Sequence, residues 1–281
     1  MKKEYFYIVN DLMFKMNLSR NLDAIKVLAT TYIKDLNDCD LGEIKLGNPK
    51  NLNGIHIKNT EYDLIIKTVD SVLEFEMQNS RVKYNLEDRM LKYYVDLIHP
   101  NFKKDETYYH EKCYSLWFVN YNLYKDDEII HTFKLKDEFG NILNKSGSIT
   151  VVEIEKFKKS GYNTTVWDRL FLAKTKDDLE KIKGADVILD KVINTMDELN
   201  NDFKARQALL RDRKKRNIRA EIEAERQEAR QEGRQEGHKV GLEEGRKKQN
   251  LEISKNAKKI GLSIEQIIKL NGLTEDEIKS L

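Results

Sequence analysis

Asp63, Glu76 and Gln78 are the residues whose types and spacing could do chemistry. They fall in the stretch from Glu61 to Gln78, which reads as two short strands joined by a tight turn. Side chains alternate along a strand, so Asp63, Ile65 and Lys67 share one face of the first, with Leu64, Ile66 and Thr68 on the other. Val69-Asp70-Ser71 supplies the turn, because Asp and Ser hydrogen-bond to their own backbone there. On the second strand Leu73, Phe75 and Met77 share a face, and Glu74, Glu76 and Gln78 share its opposite. An antiparallel pair in suitable register brings Asp63 close to Glu76, so that two carboxylates from neighbouring strands sit over one spot.

Two carboxylates that close repel each other. A divalent cation relieves the repulsion, and hard oxygen ligands suit Mg2+ or Mn2+. Such an ion polarises a phosphoryl oxygen and lowers the pKa of a bound water, which is what cutting a phosphodiester needs. The plainer reading is a half-exposed hairpin with a wet polar face. The pattern D…ExQ is short, and on its own it favours that plainer reading.

Three further motifs change the balance. Asn10-Asp11-x-x-Phe14-Lys15 lies near the start, FEMQ runs from Phe75 to Gln78, and Arg89-x-x-x-Tyr93-Tyr94 follows. Together with Asp63, in this order and spacing, they resemble the Rpn family, the recombination-promoting nuclease and transposase group of the PD-(D/E)xK nuclease superfamily. The resemblance covers roughly the first two-thirds of the chain. It implies an α/β fold with a restriction-endonuclease-like mixed β-sheet core flanked by helices, and metal-dependent cleavage of double-stranded DNA. Asp63 and Glu76 match the family's metal-binding acids, with Mg2+, Mn2+ or Ca2+ as the ion. Gln78 matches the position where most of the superfamily has Lys. Lys is a point charge able to stabilise developing negative charge, whereas Gln is neutral and only donates or accepts hydrogen bonds. Lys67, on the Asp63 face, is the residue expected to supply the missing charge. In the same reading Arg89 and Tyr93 position the DNA backbone or brace the active-site strand; an ordinary salt-bridged Arg on a helix fits the residues equally well.

The rest of the chain must position these residues. At 281 residues it holds one sizeable domain plus an appendage. Hydrophobic residues make up 40%, with 13 Tyr and 10 Phe, enough for a packed core. The net charge of +2 names no partner, so the distribution of charge matters more. Two cysteines, Cys39 and Cys113, argue against a disulfide framework and fit a reducing cytoplasm. Met1-Lys2-Lys3-Glu4 leads into a short mixed run with no signal-peptide character, and no apolar stretch is long enough for a membrane span. A cytoplasmic protein is expected.

Asn10 is a good N-cap for a first helix, with Asp11 in its first turn as a cap or as a further acid near the metal. Residues 21–36 carry apolar side chains at helical spacing. Residues 37–60 read as loops with one short strand. Residues 81–99 form a helix stopped by Pro100, with Met90, Tyr93, Tyr94 and Leu97 facing the core. Residues 114–119 read as a buried central strand, and residues 128–135 and 149–154 as two more. Glu153 and Glu155 alternate with Val152 and Ile154 and lie on the strand's other face, which suits either attraction of cations or, the preferred reading, a solvated face. Trp167 to Ala173 opens a further helix.

From Ala185 onward the composition shifts to strong helix formers. Arg213, Lys214, Lys215 and Arg216 sit in a basic cluster that suits phosphate attraction without base stacking; a charged exposed helix fits the residues slightly better. Gly233, Gly237, Gly241 and Gly245 recur every four residues; this marks either a helix stabilised by a partner helix or a flexible connector. Near the end, Ser263-x-x-Gln266 and Thr274-x-x-Glu277 have capping-box spacing and open two short helices. The second of these is acidic, so the tail reads as an oligomerisation or regulatory module. The expected organisation is a nuclease domain over 1–184, a long charged helical linker over 185–249 and a small helical module over 250–281, an all-α extension able to form a homodimer or higher oligomer. The expected function is a metal-dependent DNA endonuclease of low sequence specificity, linked to recombination, mobile elements or phage defence. Two alternatives stand beside it: a nuclease fold whose chemistry is weakened by Gln78 and which binds DNA or protein, and a transposition-associated factor.

Overall fold

The computed structural model describes residues 4–37, 39–47, 51–52, 55–56, 63–82, 85–99, 111–143, 147–159 and 165–280. These form two compact units, Met1–Asp212 and Arg213–Leu281.

The first unit is built on a mixed six-stranded sheet. Its strands are β1 (Lys45–Leu46), β4 (Leu64–Lys67), β5 (Ser71–Gln78), β6 (Lys112–Val119), β7 (Ile130–Phe133) and β8 (Gly147–Glu153), in the order β1-β4-β5-β6-β8-β7. A separate pair, β2 (Asn51–Leu52) and β3 (Ile55–His56), lies outside it. β5, β6 and β8 run parallel, and antiparallel strands complete both edges. Parallel strands are covered on both faces, and β5 shows this: all eight of its residues are buried, including Glu74, Glu76 and Gln78.

One face is covered by α1 (Asp11–Leu18), α2 (Leu22–Tyr32), α4 (Val166–Leu172) and α6 (Val187–Asn201), with α5 (Lys176–Glu180) at the margin. Leu73, Phe75 and Met77 point into this layer, and Phe118 of β6 stacks on Phe171 and meets Phe14 and Tyr32. Each such fully buried apolar side chain contributes about 1.5–3 kcal/mol. The opposite face is covered by α3 (Leu86–Ile98), whose Leu86, Met90, Tyr93, Tyr94 and Leu97 pack on Ile65, Val72, Trp117, Val119 and Val151. α3 also forms the crossover between parallel strands β5 and β6. It starts five residues later than the expected Arg81, because Asn85 caps it by accepting from the Glu87 N–H. Arg81 instead precedes the helix, donates to the Asn122 carbonyl at 2.6 Å and lies over the Tyr121 ring.

Gly147 opens β8 at φ 124°, where a Cβ would lie 1.7 Å from the Cys113 carbonyl oxygen. Only glycine lets β8 start beside β6. Residues 187–201 close the apolar layer, with Leu189, Val192, Ile193, Met196 and Leu199 buried, and α7 (Phe203–Lys259) adds Ala205 and Leu209. The core of the first unit therefore runs well past residue 184.

In the second unit α8 (Ile264–Asn271) and α9 (Glu275–Lys279) pack a small core of Ala257, Ile267, Leu273 and Ile278. Ser263 and Thr274 form capping boxes with Gln266 and Glu277, and Gly272 ends α8 in the left-handed region. The glycine-spaced segment is helical, and a Cβ at Gly233, Gly237, Gly241 or Gly245 would meet open space. Among the described residues, no helix is long and apolar enough to cross a membrane.

Candidate active site

The hairpin register sets Leu64 opposite Phe75, which puts Asp63, the next residue out, opposite Glu76. The two are locked together. The Asp63 N–H donates to Glu76 Oε1 at 2.7 Å, and the Met77 N–H donates to Asp63 Oδ2 at 3.2 Å. Alternation along β5 puts Glu74 and Gln78 on the same face, towards α3. Arg89 reaches in from α3: Nη2 lies 3.4 Å from Glu76 Oε2, and Nη1 donates to Gln78 Oε1 at 3.1 Å. Its guanidinium lies over the rings of Tyr93 and Trp117, at 4.8 and 5.3 Å from the centroids. Such cation–π contacts hold the planar group in one orientation. Gln78 Nε2 donates to the Ser80 carbonyl at 2.6 Å, so both ends of its amide are fixed.

Lys67 lies elsewhere. It sits opposite Val72, beside the turn, four residues from Asp63. At roughly 3.3 Å per residue the two are about 13 Å apart along the strand. The expectation that Lys67 offsets charge beside Asp63 and Glu76 is corrected: the cation that reaches Glu76 is Arg89. Arg213, Lys214 and Lys215 are exposed, and with the half-buried Arg216 they open the second unit.

Burial pushes Asp63 up from 3.8 to about 6, against the Met77 N–H and the charges of Lys15 and Arg89, which act the other way. It pushes Glu74 from 4.5 to about 8. Glu76 is raised well above its ordinary value by burial and then by Asp63 and Glu74. Between about pH 4 and 8 the folded site therefore holds more protons than the unfolded chain, and stability falls as pH rises. The exposed acids with lowered pKa values, among them Asp127, Asp137 and Asp178, deliver their contribution fully above about pH 4–5 and leave this window to the site. In EDTA the urea midpoint is expected to be lower at pH 8 than at pH 5. A midpoint that rises over that range would show that the buried acids are not strained.

A second group gathers around Glu153, on the same face of the sheet and in register with Val119, itself in register with Gln78. Asp126, His131 and Glu153 offer ligand atoms within 4.8 Å of one another. The Lys156 ammonium already serves them, at 2.6 Å from Glu153 Oε2 and 3.2 Å from Asp126 Oδ1, and it donates to the Glu128 carbonyl at 2.9 Å. His131 Nε2 lies 3.1 Å from Glu153 Oε2 and 3.3 Å from Asp126 Oδ1. Glu153 is fully buried, and its Oε1 accepts from the N–H groups of Leu123 and Tyr124. The solvated face expected for Glu153 is thus corrected: the segment after β6 covers it.

The Asp63 site fits a hard divalent ion on its donor set. The half-buried Asp63 and the buried Glu76 set two hard oxygen donors opposite one another across β4 and β5, and Glu74 Oε1, on the same face of β5, has no hydrogen-bond partner. In the Glu153 group the Lys156 ammonium already pairs with both carboxylates. A family model described as PD-(D/E)XK nuclease family transposase matches residues 8–225 of the chain. No curated protein and no solved structure gives a significant match.

Proposed function

The chain belongs to the PD-(D/E)XK nuclease family transposases, and from that premise we propose that it cleaves phosphodiester bonds in double-stranded DNA, with Asp63 and Glu76 holding Mg2+ or Mn2+. The observation that carries the reading is the pair of carboxylates directly opposite one another across β4 and β5, each fixed by a backbone N–H of the other strand. When bound, the ion would polarise a phosphoryl oxygen and acidify water, as the chemistry requires. The protein's own residues do the rest. Gln78, with its amide held by Arg89 and Ser80, orients water or the ion. Arg89 supplies the positive charge that a neutral Gln78 lacks, and its guanidinium fits a phosphate oxygen geometrically. Tyr93 and Trp117 hold that guanidinium in place.

Arg213, Lys214, Lys215 and Arg216 are assigned to the DNA backbone, which predicts low sequence specificity and a marked loss of binding with salt. The exposed glycine stripe of α7 is assigned to self-association. A role in recombination or in defence against mobile elements accords with a cutter of this kind.

The test is nicking of supercoiled plasmid. Wild-type protein is expected to cut with Mn2+ or Mg2+ and not with EDTA. Arg89→Ala is expected to slow single-turnover cleavage about 10²–10³-fold, the loss typical when one preorganised donor to a developing charge is removed. DNA retention without cleavage at any divalent-ion concentration would instead establish a binding module. Unchanged cleavage by Arg89→Ala would remove the charge role from Arg89.

A further inference from the structure

On the far side of the sheet from Glu76 and Gln78, the first unit carries a separate concavity. A cavity of about 420 Å³ opens beside α4 and α5, a size that suits a small molecule. Its floor is apolar: Ala173 and Ile182 are buried and Leu172 is half-buried. All three belong to the apolar layer into which Leu73, Phe75 and Met77 point, whereas Glu76 and Gln78 look towards α3. Arg169 and Leu172 are three apart on α4, so they share a side of that helix, and Ile182 follows α5.

The rim is cationic. Lys158, Arg169, Lys174 and Lys181 line it, against a single acid, Asp178. Lys158 pairs with Glu155. Arg169, Lys174 and Lys181 are exposed and form no ion pair among the described residues. Asp178 is committed to the backbone: Oδ2 accepts from the Lys174 N–H at 3.0 Å and the Thr175 N–H at 2.9 Å, and these bonds hold its pKa below the ordinary value. With the Lys158–Glu155 pair set aside, three cations and one carboxylate leave the lining a formal charge of +2. Like charges gathered around an apolar floor favour an anion that brings apolar surface with it.

We infer that this cavity binds a nucleotide through its terminal phosphate, with the base over Leu172, Ala173 and Ile182. A phosphate monoester carries a charge of roughly −1.5 to −2 at neutral pH, which matches the lining. A carboxylate or an internal phosphodiester carries a single charge and leaves the rim unbalanced. The Arg169 guanidinium offers a planar fork to two phosphate oxygens, and Lys174 and Lys181 add point charges. A free nucleoside monophosphate and the phosphorylated end of a DNA strand share this chemistry.

The experiment is calorimetric titration of the full chain in EDTA, which keeps the Asp63 site free of divalent ions. The probes are AMP, adenosine, inorganic phosphate, and one short single-stranded DNA with either a 5′-phosphate or a 5′-hydroxyl. Wild type is expected to bind AMP at least about tenfold more tightly than adenosine or inorganic phosphate, the size of one charge-assisted contact or of one buried apolar group. Arg169→Gln and Lys181→Gln, both at exposed positions, are each expected to weaken AMP about tenfold while melting like wild type. Tighter binding of the 5′-phosphorylated DNA than of its 5′-hydroxyl form, lost in Arg169→Gln, assigns the cavity to a strand end; a preference confined to AMP assigns it to the free nucleotide. No binding of AMP or of the 5′-phosphorylated DNA by wild type would overturn the proposal, as would wild-type AMP affinity in both variants. Equal affinity for AMP and inorganic phosphate would overturn the role of the floor and with it the nucleotide. Should either variant melt lower than wild type, Lys174→Gln decides, and an unchanged affinity there overturns the proposal.

Discussion

Glu76→Gln is expected to abolish divalent-ion-dependent DNA cleavage while leaving the protein folded. The substitution keeps the amide-sized side chain in its buried slot and keeps an acceptor for the Asp63 N–H, which now donates to Glu76 Oε1 at 2.7 Å. It removes the negative charge that an ion would bind, and it removes the partner that Arg89 approaches at 3.4 Å. Loss of ion-mediated stabilisation worth several kcal/mol corresponds to a fall of at least about 10³-fold in rate. Melting in EDTA is expected to hold or rise, because a buried carboxyl repelled by Asp63 and Glu74 has been replaced by a neutral group. Asp63→Asn is expected to behave the same way. Single-turnover nicking of supercoiled plasmid reads the rate, and retained cleavage by either variant would place the chemistry elsewhere.

The largest expected effect on stability belongs to Lys156. Its ammonium is buried, 2.6 Å from the fully buried carboxylate of Glu153, and donates to the Glu128 carbonyl. Lys156→Met fills much of the same volume but leaves the buried Glu153 with the N–H groups of Leu123 and Tyr124 as its remaining hydrogen-bond donors. Breaking a buried ion pair from one side costs about 3–5 kcal/mol. Urea denaturation of the full chain is expected to show that loss, and the double variant Glu153→Gln, Lys156→Met to recover part of it, since no unpaired charge then remains. A single variant within about 1 kcal/mol of wild type would mean that water reaches Glu153 freely.

Both effects bear on what could be read from residue order. Asp63 opposite Glu76 was legible, because alternation fixes the faces and a short turn at Val69-Asp70 allows few registers. The sheet was legible from its runs: the near-continuous apolar segment at 114–119 became the central strand, buried on both faces. Three features were not. Lys67 shares a face with Asp63, as alternation requires, but alternation says nothing about distance along the strand, and the charge at the site comes from a helix. Glu153 alternates with apolar neighbours as a solvated residue would; only the chain after β6 arriving over it makes it buried. The clue available in sequence was Lys156, three residues on, at a spacing that brings opposite charges together. Glu74 read as one more polar position on a wet face. Its burial follows from the parallel pairing of β5 with β6 and the cover of α3, both long-range features that no local pattern encodes.

The reach of the first unit has the same origin. Composition changes at Ala185, so the chain reads there as a linker. Residues 187–201 nevertheless carry a buried stripe, and Asn200 closes it against the start of the chain: it accepts from the Phe6 N–H at 2.8 Å and donates to the Phe6 carbonyl at 2.9 Å. Contacts separated by nearly two hundred residues fix that helix in the core.

Anomalous scattering from crystals soaked in Mn2+ at neutral pH tests the central claim most directly. The expected result is one manganese peak between the carboxylates of Asp63 and Glu76, roughly 2.0–2.6 Å from their oxygens, the span from Mg2+ to Ca2+. A peak at Asp126, His131 and Glu153 instead, or none at either place, would contradict it.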